Sequence, residues 1–271
     1  TRCSRDWSSD VCSSDLSQAD ALVYQIGDNY QFHRGCLEWL PHLPGVICLH
    51  DFFLGHLFHD WSQEHRQEAD ATLYAWYGDE ASRHFFNYPN SEAFIEGTRN
   101  ASPMTEWICS MAHGVITHSN WEIERVLNSC PGPVYIVPLA YDAPENLSEN
   151  SVAQSSGCGQ FRILTIGHIN PNKRAASVIR AIGNSPLLRQ RSTYRLVGNI
   201  RPETIHELTA LAGDLGVNIL ISGEVEDAAL AHAVEEADVL SCLRWPTLEA
   251  ASASAIEAML YGKATIVTNA G

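Results

Sequence analysis

Short apolar runs alternate with helix-like segments along most of the sequence, and this alternation constrains the fold more than any other feature. In the second half the apolar runs are nearly continuous, which is typical of parallel strands covered on both faces. They comprise Phe161–Ile166, Tyr194–Val197, Val217–Ile221, Val239–Leu243 and Ala264–Val267. The segments between them read as helices Arg174–Ile182, Thr204–Leu215, Asp227–Ala237 and Ser252–Tyr261. One of these, Thr204–Leu215, carries a single apolar stripe at helical spacing. The second half therefore predicts a doubly wound α/β domain.

The first half repeats the pattern less regularly. Its predicted strands are Leu22–Ile26, Val46–Leu49, Gly114–Thr117 and Val134–Val137. Its predicted helices are Gly35–Leu43, Ser91–Thr98, Thr105–Met111 and Trp121–Ser129. Ser119 or Asn120 is placed to cap the last of these helices. Residues 60–89, rich in His, Trp, Tyr and acids, interrupt the rhythm and read as an inserted helical excursion.

Composition changes along the chain predict the domain boundaries. Residues 1–16 look like a translated sequencing adapter and are excluded from the fold. Residues 143–160 are rich in Ser, Asn, Glu and Gly and read as a linker. The predicted domains are residues 17–142 and residues 161–271. Both are expected to be incomplete, because the first begins at a mid-domain strand and the second stops just past a strand.

The overall composition excludes some classes of binding partner. With 45% hydrophobic and 18% charged residues the chain can bury real cores, and a net charge of −15 argues against nucleic acid as a partner. No run approaches the ~18 consecutive apolar residues of a membrane span. The cysteines outside the adapter-like segment show no metal-type spacing, which favours a reducing cytoplasm. We therefore expect a cytoplasmic protein, with peripheral attachment to a membrane left open.

Two glutamates, Glu249 and Glu257, flank an Ala/Ser-rich turn between a strand and a helix. A helix start presents free N–H groups, here near Ser252, Ala253 and Ser254, and these favour an anion. Carboxylates on either side can accept hydrogen bonds from hydroxyls, so the pattern suits a ligand with phosphates between two polyols, such as a nucleotide sugar. The alternative is a capped surface helix with two solvated acids.

A second candidate segment follows the strand Phe161–Ile166. Gly167 lets backbone approach a ligand, and Lys173 lies in a loop where it can neutralise phosphate. Arg244 ends a strand beside the glutamate turn and is a further ligand candidate. The alternative for Lys173 and Arg174 is a solvated pair of charges at a helix start.

The glutamate pair, followed by Ala258-Met259 and Tyr261-Gly262-Lys263, resembles the motif of the retaining family 4 glycosyltransferases. That resemblance implies the GT-B fold, in which two Rossmann-like domains face each other across a cleft. The segment from Gly167 to Lys173 resembles the family's phosphate-binding Gly-Arg-…-Lys segment, with His168 where an arginine is usual. Backbone around Val225 corresponds to the part that meets the nucleobase.

The resemblance extends less specifically to the first domain. His50 resembles the strand-end histidine directed at the transferred sugar, and His118-Ser119 resembles the family's His-Ser turn. The implied reaction transfers a sugar from a nucleoside diphosphate sugar to an acceptor hydroxyl of a glycan, a lipid-linked or a small molecule. Lys173 and the helix N–H groups would stabilise the leaving diphosphate. Glu257 would bind the ribose and Glu249 the transferred sugar.

Three alternatives stay open. The chain could be a non-catalytic nucleotide-sugar-binding relative or a GT-B epimerase that needs no acceptor. A metal site could be formed by a histidine- and aspartate-rich stretch, which comprises His50, Asp51, His56, His59 and Asp60. The surrounding residues are largely apolar and no H-E-x-x-H occurs, so neither a metal nor a cofactor is expected. This chain by itself is expected to aggregate or to bind nucleotide without turnover.

Overall fold

The computed structural model describes residues 19–141, 160–248 and 251–269. The chain divides into a first unit, Thr1–Leu139 with Leu248–Ala251, and a second unit, Ala140–Thr247 with Ser252–Gly271. The adapter-like residues 1–16 and the predicted linker up to residue 159 lie outside the described residues.

The first unit contains a parallel sheet. Its described strands are β1 (Val23–Ile26), β2 (Val46–Leu49), β3 (Gly114–Thr117) and β4 (Val134–Ile136). They lie side by side in the order β1-β2-β3-β4, all parallel. Leu49 is paired with Ile26 on one side and with Thr117 on the other, so three strands end at the same level. The residues that follow β2 and β3 are therefore neighbours at the carboxyl edge.

Six helices accompany this sheet in the described part of the first unit. They are α1 (Tyr30–Trp39), α2 (Gly55–Trp61), α3 (Arg66–His84), α4 (Ser91–Thr98), α5 (Thr105–Ser110) and α6 (Ile123–Ser129). The helix α1 begins before the predicted Gly35 because the Asn29 side chain accepts a hydrogen bond from Gln31 N and caps it there. The predicted cap by Ser119 or Asn120 is wrong: α6 begins after Glu122 without a side-chain cap, and the Ser119 hydroxyl accepts from Trp121 N at 3.2 Å in the preceding turn.

The predicted helical excursion over residues 60–89 is mainly α3. Gly78, with φ 83° and ψ −176°, breaks this helix into two pieces. Aromatic rings hold the excursion to the core: the Phe85 ring centroid lies 5.4 Å from Phe58 and 5.1 Å from Phe94. Edge-to-face pairs at such distances are a favourable arrangement for aromatic side chains.

The second unit is also built on a parallel sheet. Its strands are β5 (Phe161–Ile166), β6 (Ser192–Val197), β7 (Ile219–Gly223), β8 (Val239–Cys242) and β9 (Ala264–Val267). Their order is β7-β6-β5-β8-β9, so the chain moves outward from β5 on one side and then returns to the other side. This is the doubly wound order predicted from the sequence. The four described strands of the first sheet, by contrast, follow chain order without a reversal.

Both faces of the second sheet are covered. The described helices are α7 (Ala175–Gly183), α8 (Pro186–Arg191), α9 (Pro202–Leu215), α10 (Asp227–Glu236) and α11 (Ala253–Leu260). Ile163 packs into a core cluster with residues of α7 and α9, whereas its neighbour Leu164 packs into a second cluster with residues of α10 and α11. Burial on both faces explains the continuous apolar runs in the sequence.

The strand β7 begins later than the predicted Val217. Gly216 adopts φ 64° at the end of α9, and Val217 N donates to Ala212 O at 2.9 Å. Val217 thus still belongs to the helix cap. Among the described residues, no helix has the combined length and apolar character that crossing a membrane would need.

Candidate functional site

In the second unit the switch point lies between β5 and β8, where the winding direction reverses. In open α/β sheets the crevice outside the carboxyl ends of such strands is the usual ligand site. Gly167 follows β5 with φ +94°, a conformation that favours glycine. A Cβ on Gly198, after β6, would lie 2.0 Å from Gly167 O. These two glycines therefore let the ends of adjacent strands approach closely.

Lys173 lies in the loop after β5. The Asn170 side chain accepts from Asn172 N at 3.1 Å and starts a short 3₁₀ turn, Pro171–Lys173. Lys173 is only 6% exposed, and a Cβ on Gly167 would lie 3.5 Å from its Nζ. The ammonium is thus held at the strand end, whereas Arg174 is exposed.

Arg244 and Trp245 follow β8 and form hydrogen bonds with segments that follow other strands. The backbone N–H of Arg244 donates to Thr268 Oγ1, after β9, at 3.0 Å, and its Nε donates to Ser252 Oγ at 3.4 Å. The next residue, Trp245, donates its backbone N–H to Asn172 O at 2.9 Å. The segments after β5, β8 and β9 are therefore linked by hydrogen bonds at one edge of the sheet.

Ser252 caps α11, whose predicted start it was. Its hydroxyl accepts from Ala255 N and lies 3.3 Å from Ser254 Oγ. In the first turn of a helix the N–H groups of residues such as Ala253 and Ser254 have no acceptor inside the helix. Glu257 lies one turn further along and is partly buried. Burial raises the pKa of Glu257 above its ordinary value.

Three charged residues of the candidate site act on the pKa of the Cys242 thiol. Burial raises the pKa of Cys242, and a hydrogen bond from Ser254 opposes that change. The positive charges of Lys173 and Arg244 also lower this pKa, and the negative charge of Glu257 raises it. Lys173, Arg244 and Glu257, which are far apart in sequence, are therefore close enough to act on one group.

Sequence reasoning missed Tyr141. Burial raises its pKa, the charge of Glu257 raises it further, and the charge of Arg244 lowers it. Tyr141 stands beside the predicted linker, where no periodic pattern marks it. Its phenol nevertheless belongs to the surroundings of Glu257 and Arg244.

The remaining predicted donor residues are placed as follows. His168 is exposed at the end of β5, directly after Gly167. Val225 packs against the core cluster that contains Val197 and Leu240. Glu249 lies outside the described residues.

His50 lies in the first unit, directly after β2. Its backbone N–H donates to Ile26 O at 2.8 Å, and its Nε2 is 2.5 Å from Gln25 Oε1. Its ring centroid is 5.1 Å from that of His118, which follows β3. Burial lowers the pKa of His50, and the charges of His118 and His33 lower it further. Its imidazole is therefore neutral near neutral pH.

Two residues of the predicted alternative metal stretch, Asp51 and His56, bind Asp28 instead. His56 Nδ1 is 2.6 Å from Asp28 Oδ2, and Asp28 Oδ1 accepts from Leu57 N at 2.9 Å. Asp51 Oδ2 accepts from Asp28 N at 2.8 Å. Asp28, not singled out in the sequence, thus fixes the start of α2 with these partners. In residues 19–141 the histidines and aspartates from 50 to 60 do not assemble into one metal-binding group.

The second half of the chain is similar to a known protein family. Residues 149–271 match a family model described as "Glycosyl transferases group 1". No curated protein matches the sequence significantly.

Solved structures resemble both sheets. Sucrose-phosphate synthase from Thermosynechococcus elongatus has a TM-score of 0.51 at 18% identity, over 83% of this chain and 56% of that one. HepE of Anabaena, in complex with UDP and glucose, has a TM-score of 0.51 and 19% sequence identity, over 92% of this chain and 73% of HepE. WaaG, a glycosyltransferase involved in lipopolysaccharide biosynthesis, has a TM-score of 0.52 and 18% sequence identity, over 93% of this chain and 60% of WaaG. The chain thus spans 56% to 73% of these proteins. The likeness confirms the predicted α/β fold class with two parallel sheets, as in GT-B structures.

Proposed function

We propose that this chain, whose residues 149–271 match the model of the group 1 glycosyltransferases, takes part in transferring a sugar from a nucleoside diphosphate sugar to an acceptor hydroxyl with retained configuration. The observation that carries the proposal is the meeting of two cations, a capped helix start and a carboxylate at the switch point of the second sheet. Such a set matches a ligand with phosphates next to hydroxyls.

The reaction needs stabilisation of negative charge. The acceptor oxygen bonds to the anomeric carbon, the bond from that carbon to the phosphate oxygen breaks, and the electron pair leaves with the diphosphate. In a single displacement that retains configuration, the acceptor approaches from the side of the leaving group, so the acceptor proton passes to the departing oxygen. Lys173 and the N–H groups of Ala253 and Ser254 would stabilise this charge, which is the largest kind of catalytic contribution in such sites.

The other roles follow the family resemblance. Glu257 accepts hydrogen bonds from the ribose hydroxyls, and Arg244 and His168 contribute to phosphate binding. Backbone at Val225 meets the nucleobase. Glu249 binds the transferred sugar, and His50 of the first unit acts on that sugar. Fixed positive groups stand in for a metal in this scheme.

A nucleotide titration tests the proposal. Since HepE was solved with UDP, UDP is the ligand to titrate first, with GDP and ADP beside it. Lys173→Ala should weaken binding by about 1.5–3 kcal/mol, because a charged hydrogen-bonding partner is lost. The matched control is Arg174→Ala, which removes the adjacent exposed cation and should change affinity little. Equal losses in both variants would contradict the assignment of Lys173 and favour a diffuse charge effect.

Turnover is a separate question. This chain spans 56% of the sucrose-phosphate synthase that it resembles, and we expect it to bind nucleotide without hydrolysing or transferring the donor. A donor-hydrolysis assay on the purified chain checks this. Turnover that disappears on Lys173→Ala would contradict the expectation, and product formed without any acceptor would favour an epimerase.

A further inference from the structure

A thiol and two imidazoles meet at the carboxyl edge of the first sheet. Cys48 and His50 stand two residues apart at the end of β2, so their side chains leave the strand on the same face. The register of β2 with β3 pairs Cys48 with Ile116 and Leu49 with Thr117, which brings His118 beside His50. Cys48, His50 and His118 form the group of potential metal ligands found in the described part of the chain. We name them the edge triad.

The distances within the edge triad suit a small thiophilic cation. One ligand atom from each residue lies within 4.8 Å of the other two, and Cys48 Sγ is 3.5 Å from His118 Nε2. In a tetrahedral zinc site, with Zn–S of about 2.3 Å and Zn–N of about 2.0–2.1 Å, sulfur and nitrogen are about 3.5 Å apart. One edge of the coordination tetrahedron is therefore already set, and the ligand atom of His50 lies within 4.8 Å of the other two.

Hydrogen bonds behind the rings orient both histidines. His118 Nδ1 is 2.9 Å from Val137 O, and because a carbonyl only accepts, Nδ1 carries the proton. The lone pair of His118 then lies on Nε2, the atom that faces Cys48. His50 Nε2 is held by Gln25 Oε1 in the same way. Carbonyl partners of this kind accompany metal-ligating histidines and fix their tautomer.

We propose that the edge triad binds one Zn²⁺ through Cys48 Sγ and a ring nitrogen of each histidine, with a water completing the tetrahedron. Two nitrogens and one sulfur match the preference of zinc, and a set of three protein ligands leaves one exchangeable position. Binding releases the thiol proton from Cys48. The site lies wholly in the first unit and does not depend on the donor site in the second.

One consequence rests on the proposed function. Zinc would engage His50, the residue assigned to the transferred sugar, so an enzyme that uses this histidine would be inhibited by zinc. The metal is thus a regulator of the reaction rather than a participant. This consequence can fail while zinc binding itself stands.

The direct test is calorimetric titration of the metal-free chain with Zn²⁺. We expect one zinc per chain. Cys48→Ser and His118→Gln, each lacking a ligand, should both weaken binding by at least about 100-fold, and Gln25→Ala, lacking the carbonyl that orients His50, by about 10–100-fold. Cys130→Ala and His113→Gln, which change a cysteine and a histidine of the same unit outside the edge triad, are the matched controls and should bind as the parent does.

Co²⁺ gives a spectroscopic check. A sulfur-to-cobalt charge-transfer band should appear in the parent chain and be lost in Cys48→Ser. If a variant does not fold, the same contact can be tested in the parent chain. Bound Zn²⁺ should protect Cys48 from an alkylating reagent, and mass spectrometry measures that protection. Zinc binding of equal affinity in Cys48→Ser would overturn the proposal, as would a parent chain that binds no zinc.

A UDP titration with and without Zn²⁺ separates this proposal from the donor-site proposal. Unchanged UDP affinity supports a metal confined to the first unit. Competition between zinc and UDP would place the metal at the donor site and overturn the inference. Failure of UDP binding with retained zinc binding would count against the proposed function only.

Discussion

The backbone N–H of Trp245 donates to the carbonyl oxygen of Asn172 at 2.9 Å. This bond ties the segment after β8 to the loop after β5, on either side of the switch point. Arg244, one residue earlier, is bonded through its backbone to Thr268 after β9. Both hydrogen bonds are donated by backbone N–H groups, so changing the side chain of Arg244 should alter binding more than folding.

The close approach of two strand ends gives a stability prediction. Gly198→Ala should destabilise the second unit by more than about 2 kcal/mol, since φ +134° is unfavourable for alanine and its Cβ would lie 2.0 Å from Gly167 O. Gly213→Ala is the matched control, because a Cβ there meets nothing within 4 Å and the residue is inside α9. It should raise stability by about 0.5–1 kcal/mol. Urea denaturation of both variants measures the difference, and similar midpoints would contradict the prediction.

The two glutamates should differ in what they recognise. Glu257→Ala should weaken binding of the nucleotide by about 1.5–3 kcal/mol, because an acceptor for two hydroxyls is removed. Glu249→Ala should weaken binding of the intact sugar nucleotide and spare the bare nucleotide. Calorimetry of both variants with UDP and with a UDP-sugar decides. Equal losses for the two ligands in Glu249→Ala would refute its sugar-facing role.

His168 occupies the position where the resembled family has an arginine. Because the side chain is exposed after Gly167, His168→Arg should fit without disturbing the core and should preserve or tighten diphosphate binding through an added charge. A melting curve run beside the titration is the check. A lower melting temperature with no gain in affinity would show that the histidine has a packing role instead.

His50 gives a prediction about pH. Burial, followed by the charges of His118 and His33, lowers its pKa in the folded chain. Below about pH 6.5 the unfolded chain then binds more protons at this residue, so its contribution to folding stability decreases as the pH falls from there towards the folded pKa. In the presence of a chelator, the stability lost between about pH 7.5 and about pH 5.5 should be smaller in His50→Gln than in the parent. Equal losses in urea denaturation would contradict the lowered pKa.

Much of the fold could be predicted because it depends on local patterns. The helix Ser91–Thr98 and the strands β2, β3, β5 and β9 have the predicted bounds. The start of α1 was missed because it depends on the Asn29 cap, and the start of β7 because Gly216 extends the helix end. These are turn-level details that apolar periodicity does not record.

Only some residues of the two candidate sites could be singled out from the sequence. Gly167, Lys173, Arg244 and Ser252 follow strands or open a helix, so the parallel topology alone places them at one edge. Tyr141 and Cys48 were missed because their partners are remote in sequence. The pairing of Cys48 with His118 depends on strand register, which a single sequence does not contain.

The order of the strands along the second unit also determines when its candidate ligand site can form. Among the described strands of this unit, the central strand β5 is made first and β9, which directly precedes Thr268, is made last. Contacts between segments so far apart in the chain form slowly, because a long loop must close before they contribute. The hydrogen bond from Arg244 N to Thr268 Oγ1 can therefore form only after the chain has been made through β9. Nucleotide binding should accordingly appear only in the last kinetic phase of refolding.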